Sequence, residues 1–140
     1  MIWIWIPVII SLGFATYKDI KTLEVPIHLF FITTAAITLI RMLMQPTYNW
    51  IDSVLGLIVC GLVYFLLALF FEGGGGDIVM MAMIGWCLGI RNALFVVMFA
   101  SFIYFIWLMF TSNKKKTLPY APGVFVGCVT TFVFNLFGMM

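Results

Sequence analysis

What most limits the fold of this chain is a succession of apolar runs, interrupted only at a few short polar places. The runs fall at roughly residues 2–16, 27–44, 51–71, 78–90, 92–112 and 120–140. A membrane span takes about 20 apolar residues at about 1.5 Å each. The third and fifth runs reach that length, and the first and fourth fall short of it. With 65% of its residues apolar and 9% charged, the chain lies far from a soluble domain, which is about half apolar and a quarter charged. The expected fold is therefore all-α: a polytopic membrane helix bundle of about six transmembrane helices, forming one domain over residues 1–140. No Lys or Arg precedes the first run, as a signal peptide would require, so it reads as a retained span.

Charge placement sets the expected topology. Six crossings put Lys18, Lys21, Lys114, Lys115 and Lys116 on one side and Arg41 and Arg91 on the other. Cytoplasmic loops carry the excess of Lys and Arg, so the N-terminus is expected outside. Joining the fourth and fifth runs into one straight helix would give a rod of about 50 Å, too long for a bilayer core of about 30 Å. Trp3, Trp5, Tyr48 and Trp50 then fall near the outer interface, where aromatic belts form. A net charge of +2, scattered along the chain, argues against a nucleic-acid partner. Cys60, Cys87 and Cys128 lie inside apolar runs with no Cys-x-x-Cys pair, and they read as small buried hydrophobes, not metal ligands. His28 is the only histidine, so a catalytic triad has no support.

The most unusual polar stretch is Gly73-Gly74-Gly75-Gly76-Asp77. Four consecutive glycines cost backbone entropy and pack nothing. They leave a place where another backbone can come close to a carboxylate. Of the five acidic residues, Asp19, Glu24, Glu72 and Asp77 share the expected cytoplasmic side, and only Asp52 lies opposite. Asp19 closes the first span and Asp77 opens the fourth, so two carboxylates at one depth can meet across the bundle. Taken singly, each has a plainer reading. Asp77 suits a helix N-cap, Asp19 a loop charge beside Lys18 and Lys21, and the glycines a hinge. Lys114 to Lys116 suit a topology signal that contacts lipid headgroups.

Joined, these features resemble a known family. Asp19 followed by Val25-Pro26, then Gly74-Gly75-Gly76-Asp77, then Pro119-Tyr120-Ala121-Pro122 are similar, in order, to motifs of the type IV prepilin peptidases. Those are membrane aspartic proteases with a G-x-G-D motif and a late P-[FY]-[GA]-P element. The resemblance implies an aspartic endopeptidase with Asp19 and Asp77 catalytic, and with Gly74, Gly75, Gly76, Pro26, Pro119 and Pro122 at the substrate. It implies a prepilin-like protein substrate, cut from its leader at the cytoplasmic face, and residence in a bacterial or archaeal cytoplasmic membrane. The chain departs from the pattern at Ile27, where Asn often follows the proline, and at Val79, where Lys often stands. It also has no cysteine-containing cytoplasmic insertion, so it looks like the short, peptidase-only form without methyl transfer. Presenilin-like proteases share G-x-G-D but place Tyr before the first aspartate, where Lys18 stands here.

Two close aspartates sharing one proton supply a base for water and an acid for the leaving amide nitrogen. That chemistry needs no cofactor and no metal. From helix dipoles alone, Asp77 at a helix start is expected to be the ionised member, and Asp19 at a helix end to hold the proton. A reading from another class is a small proton- or cation-coupled transporter or channel subunit using the same two aspartates. Oligomeric state is left open. In a background with the three native cysteines replaced, single cysteines at positions 21 and 115 are expected to label from the cytoplasmic side and one at Asn49 from outside. Labelling of 21 and 115 from opposite sides would contradict the topology.

Overall fold

The computed structural model describes residues 2–22, 24–45, 47–71, 75–110 and 120–138. The described residues form five helices and no strand: α1 (Ile2–Thr22), α2 (Ile27–Met44), α3 (Trp50–Phe71), α4 (Gly75–Phe110) and α5 (Ala121–Leu136). Three of them, Ile27–Met44, Trp50–Leu69 and Gly75–Trp107, contain stretches long and apolar enough to cross a membrane. Large side chains such as Leu43, Leu69 and Phe110 point outward and are more than half exposed, as a lipid-facing surface allows. The chain is a membrane helix bundle.

The fourth and fifth apolar runs form one assigned helix, but it is not straight. Gly89 breaks it with φ 77° and ψ 166°, backbone space that is essentially reserved for glycine. The two arms of α4 then run back along each other. The first arm lies antiparallel to α3, with Gly85 against Gly56 and Ala82 against Gly61. The second lies antiparallel to α5, where Val96 and Ala100 face Gly127 and Asn92 bonds Asn135 at 3.0 Å. Arg91 was the expected place of the break, yet it is already helical and exposed. A charge can sit on the open face of a helix, whereas a reversal needs a residue that tolerates positive φ.

Both helix ends at the break are satisfied by neighbours. Arg41 of α2 is 3% exposed and donates to Ser53 Oγ and to the carbonyls of Trp86 and Cys87. Those carbonyls belong to the last turn of the first arm, where acceptors go unpaired and the dipole is negative. Asp52 of α3 accepts the N–H of Ile90 at 3.3 Å, at the positive start of the second arm. Tyr48 lies under the guanidinium, its ring centre 4.1 Å away. Tyr48 also packs on Trp50, which packs on Trp86. Trp5, expected at the lipid interface, is instead buried against Phe132.

Close backbone contact locks the first arm to α3. A Cβ on Gly56 or on Gly85 would run into the other's carbonyl, the small-residue packing that membrane helices use where burial from water cannot drive association. At Gly89 a Cβ would collide with the Asp52 carboxylate. Gly89→Ala is expected to lower unfolding stability in detergent by about 1–3 kcal/mol from backbone strain alone, with a further loss as Asp52 leaves Ile90. Unchanged thermal unfolding would contradict the reversal.

Candidate functional site

The expected site residues come from four segments, which the fold brings to the end of the bundle opposite Arg41 and Asp52. Helix α1 does not stop near residue 16 but continues to Thr22. Asp19 therefore sits in its last full turn and not in a loop, and it is 5% exposed. Its Oδ2 accepts the backbone N–H of Ala121 at 3.0 Å, with the Tyr120 N–H alongside. These are the first amides of α5, which has no side-chain cap from Tyr120 itself. Asp19 thus caps a helix that begins 102 residues later. Lys21 turns away from it, donating to the Tyr17 hydroxyl and lying over that ring.

Helix α4 begins at Gly75, three residues before the expected start at Ile78. Asp77 is therefore in the first turn and not at the cap. It is half-buried and close enough to Asp19 for the two charges to interact. Gly76 faces Val25: a Cβ added there would lie 3.1 Å from Val25 Cβ. The missing side chain lets the start of α4 close on the segment before α2. Among the described residues, nothing lies within 4 Å of a Cβ added to Gly75. Pro26 is buried and its carbonyl accepts the N–H of Leu29 at 3.0 Å, starting α2. Pro122 is in the first turn of α5, where a missing N–H costs nothing. Gly74 and Pro119, along with Glu72, Gly73 and Lys114 to Lys116, lie outside the described residues.

Sequence reasoning did not single out the hydroxyls beside Asp77. Tyr64 of α3 is 4% exposed, and its hydroxyl hydrogen-bonds that of Tyr120. The rings meet edge to face with centroids 5.4 Å apart, and Tyr104 packs on Tyr120 at the same separation. Ser101 lies near both phenols, and the Asp77 charge reaches both. Tyr120 stood in plain view between two prolines. Tyr64, in an apolar run, offered as its only signal a polar tip that needs a partner when buried. Among the described residues, no group of three or more His, Cys, Asp or Glu could hold a metal ion.

The chain matches the type IV leader peptidase family over residues 6–109, a stretch that includes Asp19, Val25-Pro26 and Gly74 to Asp77. It belongs to that family. No curated protein and no solved structure matches it. Family membership makes the protein a peptidase of the leader-peptidase kind in a multi-pass membrane setting.

The packing at Gly76 makes its own prediction. Gly76→Val is expected to lower thermal stability, and Val25→Ala in the same chain to recover part of the loss. Gly75→Ala is expected to be neutral for stability. Equal losses at 75 and 76, with no recovery from Val25→Ala, would contradict this geometry.

Proposed function

We propose that the protein is a membrane aspartic endopeptidase that removes the leader from prepilin-like substrates at the cytoplasmic face, with Asp19 and Asp77 as its catalytic pair. The observation that supports this reading is the convergence at one bundle end of the close of α1, the start of α4 and the start of α5, with Asp19 on the first amide of α5 and Asp77 near enough to feel its charge. Family membership favours it over a cation-coupled transporter using the same acids. In this reading residues 1–140 act as a single domain in a bacterial or archaeal cytoplasmic membrane. The N-terminus is outside, the two arms of α4 each cross, and the site faces the lysine-rich side.

The Ala121 hydrogen bond supports the opposite division of roles from the one expected from dipoles alone. A carboxylate that accepts backbone N–H groups at a helix start is stabilised as an anion. Asp19 is then the base and Asp77 holds the shared proton, since two like charges this close do not both ionise easily. A water between them gives a proton to Asp19 as its oxygen bonds to the scissile carbonyl carbon. The C–N bond then breaks, and Asp77 gives its proton to the departing amine. Transfer of the remaining proton from Asp19 to Asp77 restores the pair. Gly75 leaves room for the substrate backbone, while Gly76 packs on Val25 beside Asp77. Pro26 and Pro122 shape the surrounding walls, and Gly74 and Pro119 are assigned to the substrate from the family motif.

The test uses purified protein in detergent and a peptide in which a prepilin-type leader precedes an apolar helix. Wild type is expected to cut once, at the junction, with a bell-shaped pH–rate profile from one base and one acid. Asp19→Asn and Asp77→Asn are each expected to lose at least about 10³-fold in kcat, since members of one catalytic unit are not additive. Cleavage that survives either change within about tenfold would overturn the assignment.

A further inference from the structure

Hydrolysis of an amide builds negative charge on the carbonyl oxygen, and a preorganised donor aimed at that oxygen is worth about 10²–10³-fold in rate. In the dyad described above, the Asp77 proton is finally given to the leaving nitrogen, so a second donor that stays on the carbonyl oxygen throughout would hold its charge until the C–N bond breaks. We propose that the Tyr120 hydroxyl, oriented by Tyr64, is the group that hydrogen-bonds the scissile carbonyl oxygen during cleavage; this rests on the peptidase reading.

Three observations point to Tyr120. It immediately precedes Ala121, whose N–H holds Asp19, and the charge of Asp77 reaches it, so it stands at the same bundle end as both acids. It is half-buried, whereas its partner Tyr64 is 4% exposed, so Tyr120 is the more reachable of the pair. Its ring is wedged between those of Tyr64 and Tyr104, which fixes the direction of its hydroxyl. Two hydroxyls in one hydrogen bond spend only one of their protons. With Tyr64 donating to Tyr120, the Tyr120 proton is free for a substrate oxygen. A phenol of ordinary acidity keeps its proton up to about pH 10, so the donor is present wherever the dyad works. The family element allows either Phe or Tyr at this place, which makes the hydroxyl a property of this chain. Tyr64 is a positioning residue and Tyr120 a catalytic one.

The experiment follows cleavage of the same leader–helix peptide by wild type, Asp77→Asn, Tyr120→Phe, Tyr64→Phe and the double Phe variant. It also includes protein with 3-fluorotyrosine at position 120. Tyr120→Phe is expected to lower kcat roughly a hundredfold with KM within about twofold, leaving the limbs of the pH–rate profile where they were. Tyr64→Phe is expected to lose less, and the double variant no more than Tyr120→Phe alone, because the two act as one unit. Fluorination makes the phenol a stronger acid and is expected to change kcat but not thermal unfolding, which a purely structural lock between α3 and α5 would not do. If wild type cleaves, Asp77→Asn does not, and Tyr120→Phe keeps kcat within about threefold, the inference fails alone. If Tyr120→Phe does not fold, an unchanged kcat in the fluorotyrosine protein overturns it. A wild type that leaves the peptide intact overturns the peptidase reading and this inference together.

Discussion

The reversal at Gly89 is the constraint on which the rest of the bundle depends. A helix that ends leaves carbonyls unpaired, and one that starts leaves N–H groups unpaired; burying either kind without a partner costs free energy. Here both kinds of orphan occur within a few residues. They are met by charges of the appropriate sign from the two preceding helices, Arg41 on the carbonyls of Trp86 and Cys87 and Asp52 on the N–H of Ile90. The turn is thus a three-helix joint and not a local kink. It fixes the height at which the second arm returns, and with it the place of Ser101 and Tyr104 beside Tyr64 and Tyr120.

The opposite end of the bundle uses the same physics with a different outcome. Asp19 also meets the start of a helix from another part of the chain, yet here the acid has a second acid for a neighbour. At the Gly89 end Arg41 and Asp52 each meet backbone groups of complementary sign. At the Asp19 end two helix starts, those of α4 and α5, lie beside two carboxylates that interact with each other. In the proposed mechanism the pair shares one proton, and that proton is the source of both base and acid.

Much of this was legible from residues alone, and the misses have physical causes. The apolar runs located the helices to within a few residues because lipid contact demands long uninterrupted apolar stretches. Asp19, Val25 and Asp77 were recognisable as partners because their types and order form a motif, and the fold does bring them together. The break was expected at Arg91 and occurs at Gly89, because charge is a weaker signal for a reversal than a residue that accepts positive φ. Asp19 was read only against the negative end of its own helix, while its hydrogen bond from the Ala121 N–H is a tertiary contact, invisible in local sequence. Arg41 registered only as a topological charge, since nothing near it in the chain reveals that it is buried against carbonyls 45 and 46 positions away. The tyrosines escaped for the same reason, their meeting being set by packing over 56 residues of separation.

The central claim is that the two carboxylates put a water molecule, and not one of their own oxygens, onto the peptide carbonyl. The most direct test is a single turnover of the leader–helix peptide in water enriched with heavy oxygen, using excess protein, followed by mass spectrometry of the products and of the protein. Heavy oxygen is expected in the new carboxylate of the released leader and in neither Asp19 nor Asp77. Label in either aspartate would show that it had attacked the substrate itself, and the water-activating pair described here would be wrong.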